Sequence, residues 1–194
     1  MVENQQPVLV IMGISGSGKS TVAGLLAGQL GWDLEEGDDL HPQENIDKMS
    51  AGLPLNDEDR APWLDTVSSW IIEHTLAGVP GIITCSALKR RYRDVLREHS
   101  VIFVHLTGST DLIGRRLATR HEHYMPTSLL DSQVATLEAP GADECAISID
   151  AGRAPAEGAA EIVRRLGLTP RPGSSSLGAP EPGTSSVPGS RTNS

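Results

Sequence analysis

Aromatic residues are scarce in this chain: three Trp, two Tyr and one Phe among 194 residues. Its core must therefore be mostly aliphatic, with the few large rings kept for particular places. Cysteine is scarcer still. Cys85 and Cys145 lie far apart, with no C-x-x-C pair and no histidine at metal-ligand spacing, so they read as reduced thiols. Positive charge is in deficit, 16 Lys and Arg against 25 Asp and Glu, for a net −9. That balance argues against nucleic-acid or membrane-surface binding, both of which need a basic face. No apolar run nears the roughly 20 residues that span a bilayer. The first six residues lack the basic and apolar regions of a secretory signal. A cytoplasmic protein is the expectation.

What the chain does have is the run Gly13-Ile14-Ser15-Gly16-Ser17-Gly18-Lys19-Ser20, which meets the pattern G-x-x-x-x-G-K-[ST] at every fixed position. It follows the apolar run 8–12 and precedes the helical pattern Thr21 to Ala27, the order its chemistry requires. Glycines let backbone N–H groups curl around a polyphosphate, and the helix N-terminus adds partial positive charge. Lys19 brings a full charge to the β- and γ-phosphates, and the Ser20 hydroxyl can ligate Mg²⁺. The run implies a bound nucleoside triphosphate and leaves the phosphate acceptor open.

Apolar runs alternate with helical patterns, the signature of a mostly parallel sheet covered by helices. Strands are expected near 8–12, 33–36, 81–85, 101–106 and 146–149, and helices near 19–30, 42–50, 62–78, 87–98, 110–120, 127–138 and 155–166. Pro62 favours a turn over the acidic cluster Asn56-Asp57-Glu58-Asp59, with the helix starting at Pro62 itself. Trp63, Val67, Trp70, Ile71 and His74 then share one face as core or subunit contact, with His74 structural. The pattern gives one domain over 1–168. Stretches of about 38–80 and 115–140 exceed a minimal sheet-and-helix unit, and suit a substrate-binding insert and a closing lid. Residues 169–194, rich in Ser, Pro and Gly, are expected to be a disordered tail without catalytic role.

No carboxylate ends the third or fourth expected strand. The acids stand instead at the end of the second, Glu35-Glu36-Gly37-Asp38-Asp39, where residues 36 and 38 share one face of an extended segment. One acid there can serve a metal and the other can accept a proton from an acceptor hydroxyl, which suits transfer to a small alcohol. Basic groups follow at Lys89-Arg90-Arg91 and at Arg115-Arg116, with Arg116 and Arg120 spaced i, i+4. Lid arginines of this kind can stabilise charge on a transferring phosphoryl group.

The stretches Gly37-Asp38-Asp39-Leu40-His41-Pro42, Asn45 to Met49 and Gly52 to Leu64 closely resemble gluconokinases. So do Cys85-Ser86-Ala87-Leu88-Lys89 with its continuation to Arg97, Leu129 to Gln133, and Leu137 to Glu144. The resemblance spans about residues 7–166. It implies a three-layer P-loop kinase fold with a five-stranded parallel sheet flanked by helices, often homodimeric. It also implies ATP-dependent phosphorylation of D-gluconate at its 6-hydroxyl, with Mg²⁺. Carried over by position, Gly13, Ser15, Gly16, Ser17, Gly18, Lys19, Ser20 and Thr21 bind ATP, and Ser20 contacts the metal. Asp38 is the base, and Lys19 and Arg120 act in transfer. His41, Arg60 and Lys89 serve the substrate together with Asp38, while His123 joins Arg120 in the lid. Glu36 stands where some members have aspartate, and is expected to help from the metal's outer shell. The residues alone do not separate gluconate from shikimate or another sugar acid. An ATP-binding protein that has lost catalysis is disfavoured, because Lys19, Ser20 and Asp38 are all present.

Overall fold

The computed structural model describes residues 7–97, 100–118 and 127–172. Five strands, β1 (Val8–Met12), β2 (Asp33–Glu36), β3 (Gly81–Thr84), β4 (Val101–Thr107) and β5 (Ala146–Asp150), form one all-parallel sheet in the order β2-β3-β1-β4-β5. The helices are α1 (Lys19–Leu30), α2 (Gln43–Ser50), α3 (Asp57–Ala77), α4 (Arg90–Leu96), α5 (Thr110–Ala118), α6 (Thr127–Thr136) and α7 (Pro155–Leu166).

Strand β1 explains the layering. All five of its residues are buried, and strand side chains alternate between faces. Val8, Val10 and Met12 pack with Trp63, Val67 and Ile71 of α3 and with Tyr92 and Leu96 of α4. Leu9 and Ile11 face the other way, onto Val22 and Leu26 of α1 and Ile162 of α7. A sheet buried on both faces needs continuous apolar strands, which is why β1 and β3 read as unbroken aliphatic runs. A smaller cluster of Ile14, Leu88, Ile113 and Leu130 lies beyond the strand ends.

Two helix expectations are corrected. Helix α3 starts five residues before Pro62, because Asn56 and Asp59 form a reciprocal capping box. The cap satisfies the first-turn donors, and Pro62 then sits inside the helix, where it removes one N–H without ending it. Helix α4 begins at Arg90, not near 87, since Ala87 holds a left-handed φ of 38°. The carbonyls of Ala87 and Leu88 are instead taken by the Arg93 guanidinium at 3.1 and 3.3 Å. His74 is structural as expected: its Nδ1 lies 3.0 Å from the Trp70 carbonyl and its ring stacks on Trp70. Of the expected tail, residues 173–194 lie outside the described residues, while the Arg171 N–H donates to Gln29 O at 2.8 Å. Among the described residues, no helix is long and apolar enough to cross a membrane.

Candidate active site

Chain order reverses around β1, with β3 on one side and β4 on the other, and ligands of open parallel sheets bind at such a point, beyond the strands' C-terminal ends. The Gly13–Ser20 loop sits there. Gly13 and Gly18 take φ of +145° and +98°, and a Cβ on Gly13 would lie 2.9 Å from both Leu106 O and Ser17 Oγ. Gly18 caps α1 without any side-chain cap, so first-turn N–H groups stay available to an anion. The Ser17 hydroxyl is buried with no protein partner. An orphaned hydroxyl beside uncapped helix N–H groups fits a polyphosphate. The Lys19 ammonium folds over the loop, donating to Gly13 O at 3.1 Å and Ile14 O at 3.3 Å.

The end of β2 closes on this loop. Ser20 Oγ donates to Glu36 Oε2 at 3.0 Å, and Thr84 Oγ1 donates to the same oxygen at 2.6 Å. The Gly37 N–H then donates to Thr84 Oγ1 at 3.2 Å. Gly37 has to be glycine here, because a Cβ would stand 2.1 Å from the Thr84 carbonyl oxygen. Mg²⁺ takes one or two protein oxygens and completes its shell with water and phosphate oxygens. The Ser20 hydroxyl and the Glu36 carboxylate fit that demand. Among the described residues no cluster of three or more His, Cys, Asp or Glu could hold a metal by itself.

A second group of side chains lies on the α3 and α4 side. The His41 ring stacks on Trp63 at 4.4 Å and 13°, and Trp63 Nε1 anchors to Gly37 O at 2.6 Å. The Arg60 guanidinium lies over both Trp63, at 6.0 Å, and Tyr92, at 5.7 Å. The Lys89 ammonium lies over Tyr92 at 5.5 Å and donates to Asp57 Oδ1 at 2.8 Å. Asp57 also takes Arg91 and the Tyr92 hydroxyl. Two of the chain's six Trp, Tyr and Phe residues, Trp63 and Tyr92, thus line this one corner.

His41 works there as a neutral group. Burial lowers its pKa to about 4, with Asp38 opposing the shift and Arg60 adding to it. Asn45 Nδ2 donates to Asp59 O at 2.7 Å, which fixes that amide, and it lies 3.2 Å from His41 Nδ1. Nδ1 is therefore the acceptor, and the other ring nitrogen carries the proton. Cys85 is buried, and burial raises its thiol to about 12, which leaves it inert.

The structure brings Lys19, Ser20, Glu36, Asp38, His41, Arg60 and Lys89 to one end of the sheet. Arg120 and His123 lie outside the described residues. Sequence reasoning missed Thr84, Trp63 and Tyr92 as framing groups, and it missed a shallow cleft between the phosphate loop, α5 and the β5–α7 turn. Ser17, Gly18, Arg116, Asp150, Arg153 and Pro155 are among its lining residues. The i, i+4 spacing had marked Arg116 only as a companion of Arg120.

A family model described as shikimate kinase matches residues 15–166. The gluconokinase of Gluconobacter oxydans is 50% identical over 160 residues, covering 81% of this chain and 90% of that protein. The chain belongs to the gluconokinase family. Solved structures of the same type agree. A sugar kinase from Janibacter superposes with a TM-score of 0.80 at 46% identity, covering 84% of this chain and 95% of the other. A gluconokinase from Sinorhizobium meliloti gives 0.74 at 41%, with 84% and 96% covered. The family's P-loop kinase fold, expected from the resemblance, is therefore the fold of this chain.

Proposed function

We propose that this protein transfers the γ-phosphoryl group of ATP to the 6-hydroxyl of D-gluconate, giving ADP and 6-phospho-D-gluconate. One observation carries the reading. Ser20 of the phosphate loop bonds Glu36 at the end of β2 at 3.0 Å, and Trp63 of α3 bonds the Gly37 carbonyl just beyond it at 2.6 Å, so the phosphate loop, the end of β2 and the α3 segment converge on one spot. Donor and acceptor groups meet there, and the gluconokinase relatives supply the acceptor's identity.

Phosphoryl transfer passes through a loose transition state, so the protein's work is positioning and charge stabilisation. Lys19 and the N–H groups of Gly16, Gly18, Lys19, Ser20 and Thr21 hold the triphosphate. The cleft at Arg116, Asp150 and Arg153 receives the nucleoside end. Arg60 and Lys89 offer cations to the gluconate carboxylate, and neutral His41 donates one N–H to a hydroxyl. The Asp38 carboxylate takes the proton of the 6-hydroxyl as its oxygen bonds to phosphorus. Ser20 would hold Mg²⁺ with Glu36 helping from its outer shell, and the ion would neutralise charge on the phosphates. Arg120 and His123 belong to the lid stretch of the sequence at about 115–140, and the stretch at about 38–80 is the substrate insert. The assembly is a homodimer in the cytoplasm, and residues 169–194 take no part in catalysis.

A coupled ADP assay with gluconate, shikimate, other sugar acids and a nucleoside monophosphate tests the reading. Gluconate-dependent turnover is expected. Turnover with another acceptor and none with gluconate overturns it.

A further inference from the structure

Helix α6 touches both halves of the site through contacts that have no part in the transfer step. Gln133 Oε1 accepts from the Ser15 N–H of the phosphate loop at 2.7 Å. Just past the helix, the Glu138 N–H donates to Leu88 O at 2.8 Å, and Glu138 Oε2 accepts the Arg90 N–H at 2.6 Å. From the same segment Leu130 and Leu137 join the cluster that contains Ile14 of the phosphate loop and Leu88 of the β3–α4 loop. One segment thus grips the loop that carries the donor phosphates and the loop that presents Lys89.

We infer that Gln133 is a positioning residue for the phosphate loop and Glu138 a positioning residue for the Lys89 loop, so that α6 keeps donor and acceptor loops in register. The ground is the loop's own freedom. Gly13, Gly16 and Gly18 all hold positive φ, and glycine surrenders more conformational entropy on ordering than any other residue. A hydrogen bond from outside, at the residue between the first two of these glycines and the next turn, narrows that freedom before the nucleotide arrives. A carboxamide suits the task. It accepts the N–H as a carboxylate would, but brings no negative charge beside a polyphosphate.

The acceptor arm of this inference rests on the gluconate reading; the donor arm does not. Binding of a non-hydrolysable ATP analogue is measured by calorimetry, alongside the gluconate KM and thermal stability. Gln133→Met, similar in size but without an acceptor, is expected to weaken the analogue about three- to tenfold, with gluconate KM and Tm unchanged. Gln133→Glu restores the acceptor and adds charge, so its loss of affinity should shrink as salt is raised. Glu138→Ala is expected to raise the gluconate KM and spare analogue affinity, and Glu138→Gln, which keeps the acceptor, should return towards wild type. Unchanged analogue affinity in Gln133→Met overturns the inference. So does a loss in both variants that falls equally on both ligands together with Tm. Absence of any gluconate turnover in the wild type would remove the proposed function, and the analogue affinity would still decide the role of Gln133.

Discussion

Glu144→Ala puts the greatest load on the reading of this fold. Arg93 and Glu144 form an ion pair whose side chains are both 0% exposed. The guanidinium Nε and Nη2 donate to the carboxylate at 2.7 to 3.1 Å, and Nη1 reaches the carbonyls of Ala87, Leu88 and Glu138. Removing the carboxylate leaves a buried cation held only by carbonyl dipoles. Breaking a buried pair in this way costs about 3–5 kcal/mol. For a domain of this size that is a fall in Tm of about 6–20 °C. The pH dependence has a definite sign. Hydrogen bonds from Arg93 hold the Glu144 carboxyl below its ordinary value. Its contribution is therefore complete at neutral pH, above the unfolded value, and is lost as pH falls through the depressed one. Differential scanning calorimetry of both proteins across pH should show a wide gap at neutral pH that closes in acid. A gap under about 1 kcal/mol at neutral pH, or one that widens in acid, refutes the argument.

Three other outcomes follow from the site. Asp38→Asn should bind nucleotide normally yet lose about 10²-fold or more in kcat, because an amide cannot take the hydroxyl proton; near-normal kcat in steady-state assays removes Asp38 as the base. Gly37→Ala forces a methyl against the Thr84 carbonyl, a 2.1 Å approach, and should cost about 1–3 kcal/mol in denaturant unfolding together with activity. His41 stays neutral through the neutral range, since its pKa is lowered to about 4. The gluconate KM should therefore show no transition near the ordinary imidazole value of 6.5, and a transition there in a pH profile contradicts the buried stack.

What the sequence revealed and what it hid divide along chain distance. The phosphate loop was legible because strand, glycines, lysine and helix start are contiguous, so local chemistry dictates local shape. The boundaries of β1, β2 and α7 were legible for the same reason. Pro62 misled because its local preference was outweighed by the capping box of Asn56 and Asp59, two residues that looked like a loop. Thr84 stayed hidden because its meaning lies in Glu36, 48 residues earlier. The stack of His41 on Trp63 and the frame of Trp63 and Tyr92 around Arg60 need α3 and α4 laid on the same sheet face, and no spacing rule records that. The cleft beside the phosphate loop takes its other walls from α5 and the β5–α7 turn, segments too far apart in the chain for one motif to join. Arg120 rests on its spacing from Arg116 and on the family resemblance, and His123 on the resemblance alone.

Strand β2 has a consequence apart from chemistry. It forms one border of the sheet, and a border strand offers unpaired backbone groups to any other strand that approaches. Its sequence is Asp33-Leu34-Glu35-Glu36, four residues of which three are acidic. A strand so short and so negatively charged repels a second copy of itself and is a poor template for sheet extension. The segment that delivers Glu36 to the phosphate loop thus also guards the molecule against aggregation through its open edge. Substitutions that neutralise Asp33 or Glu35 would be felt first in solubility, well before they touched catalysis.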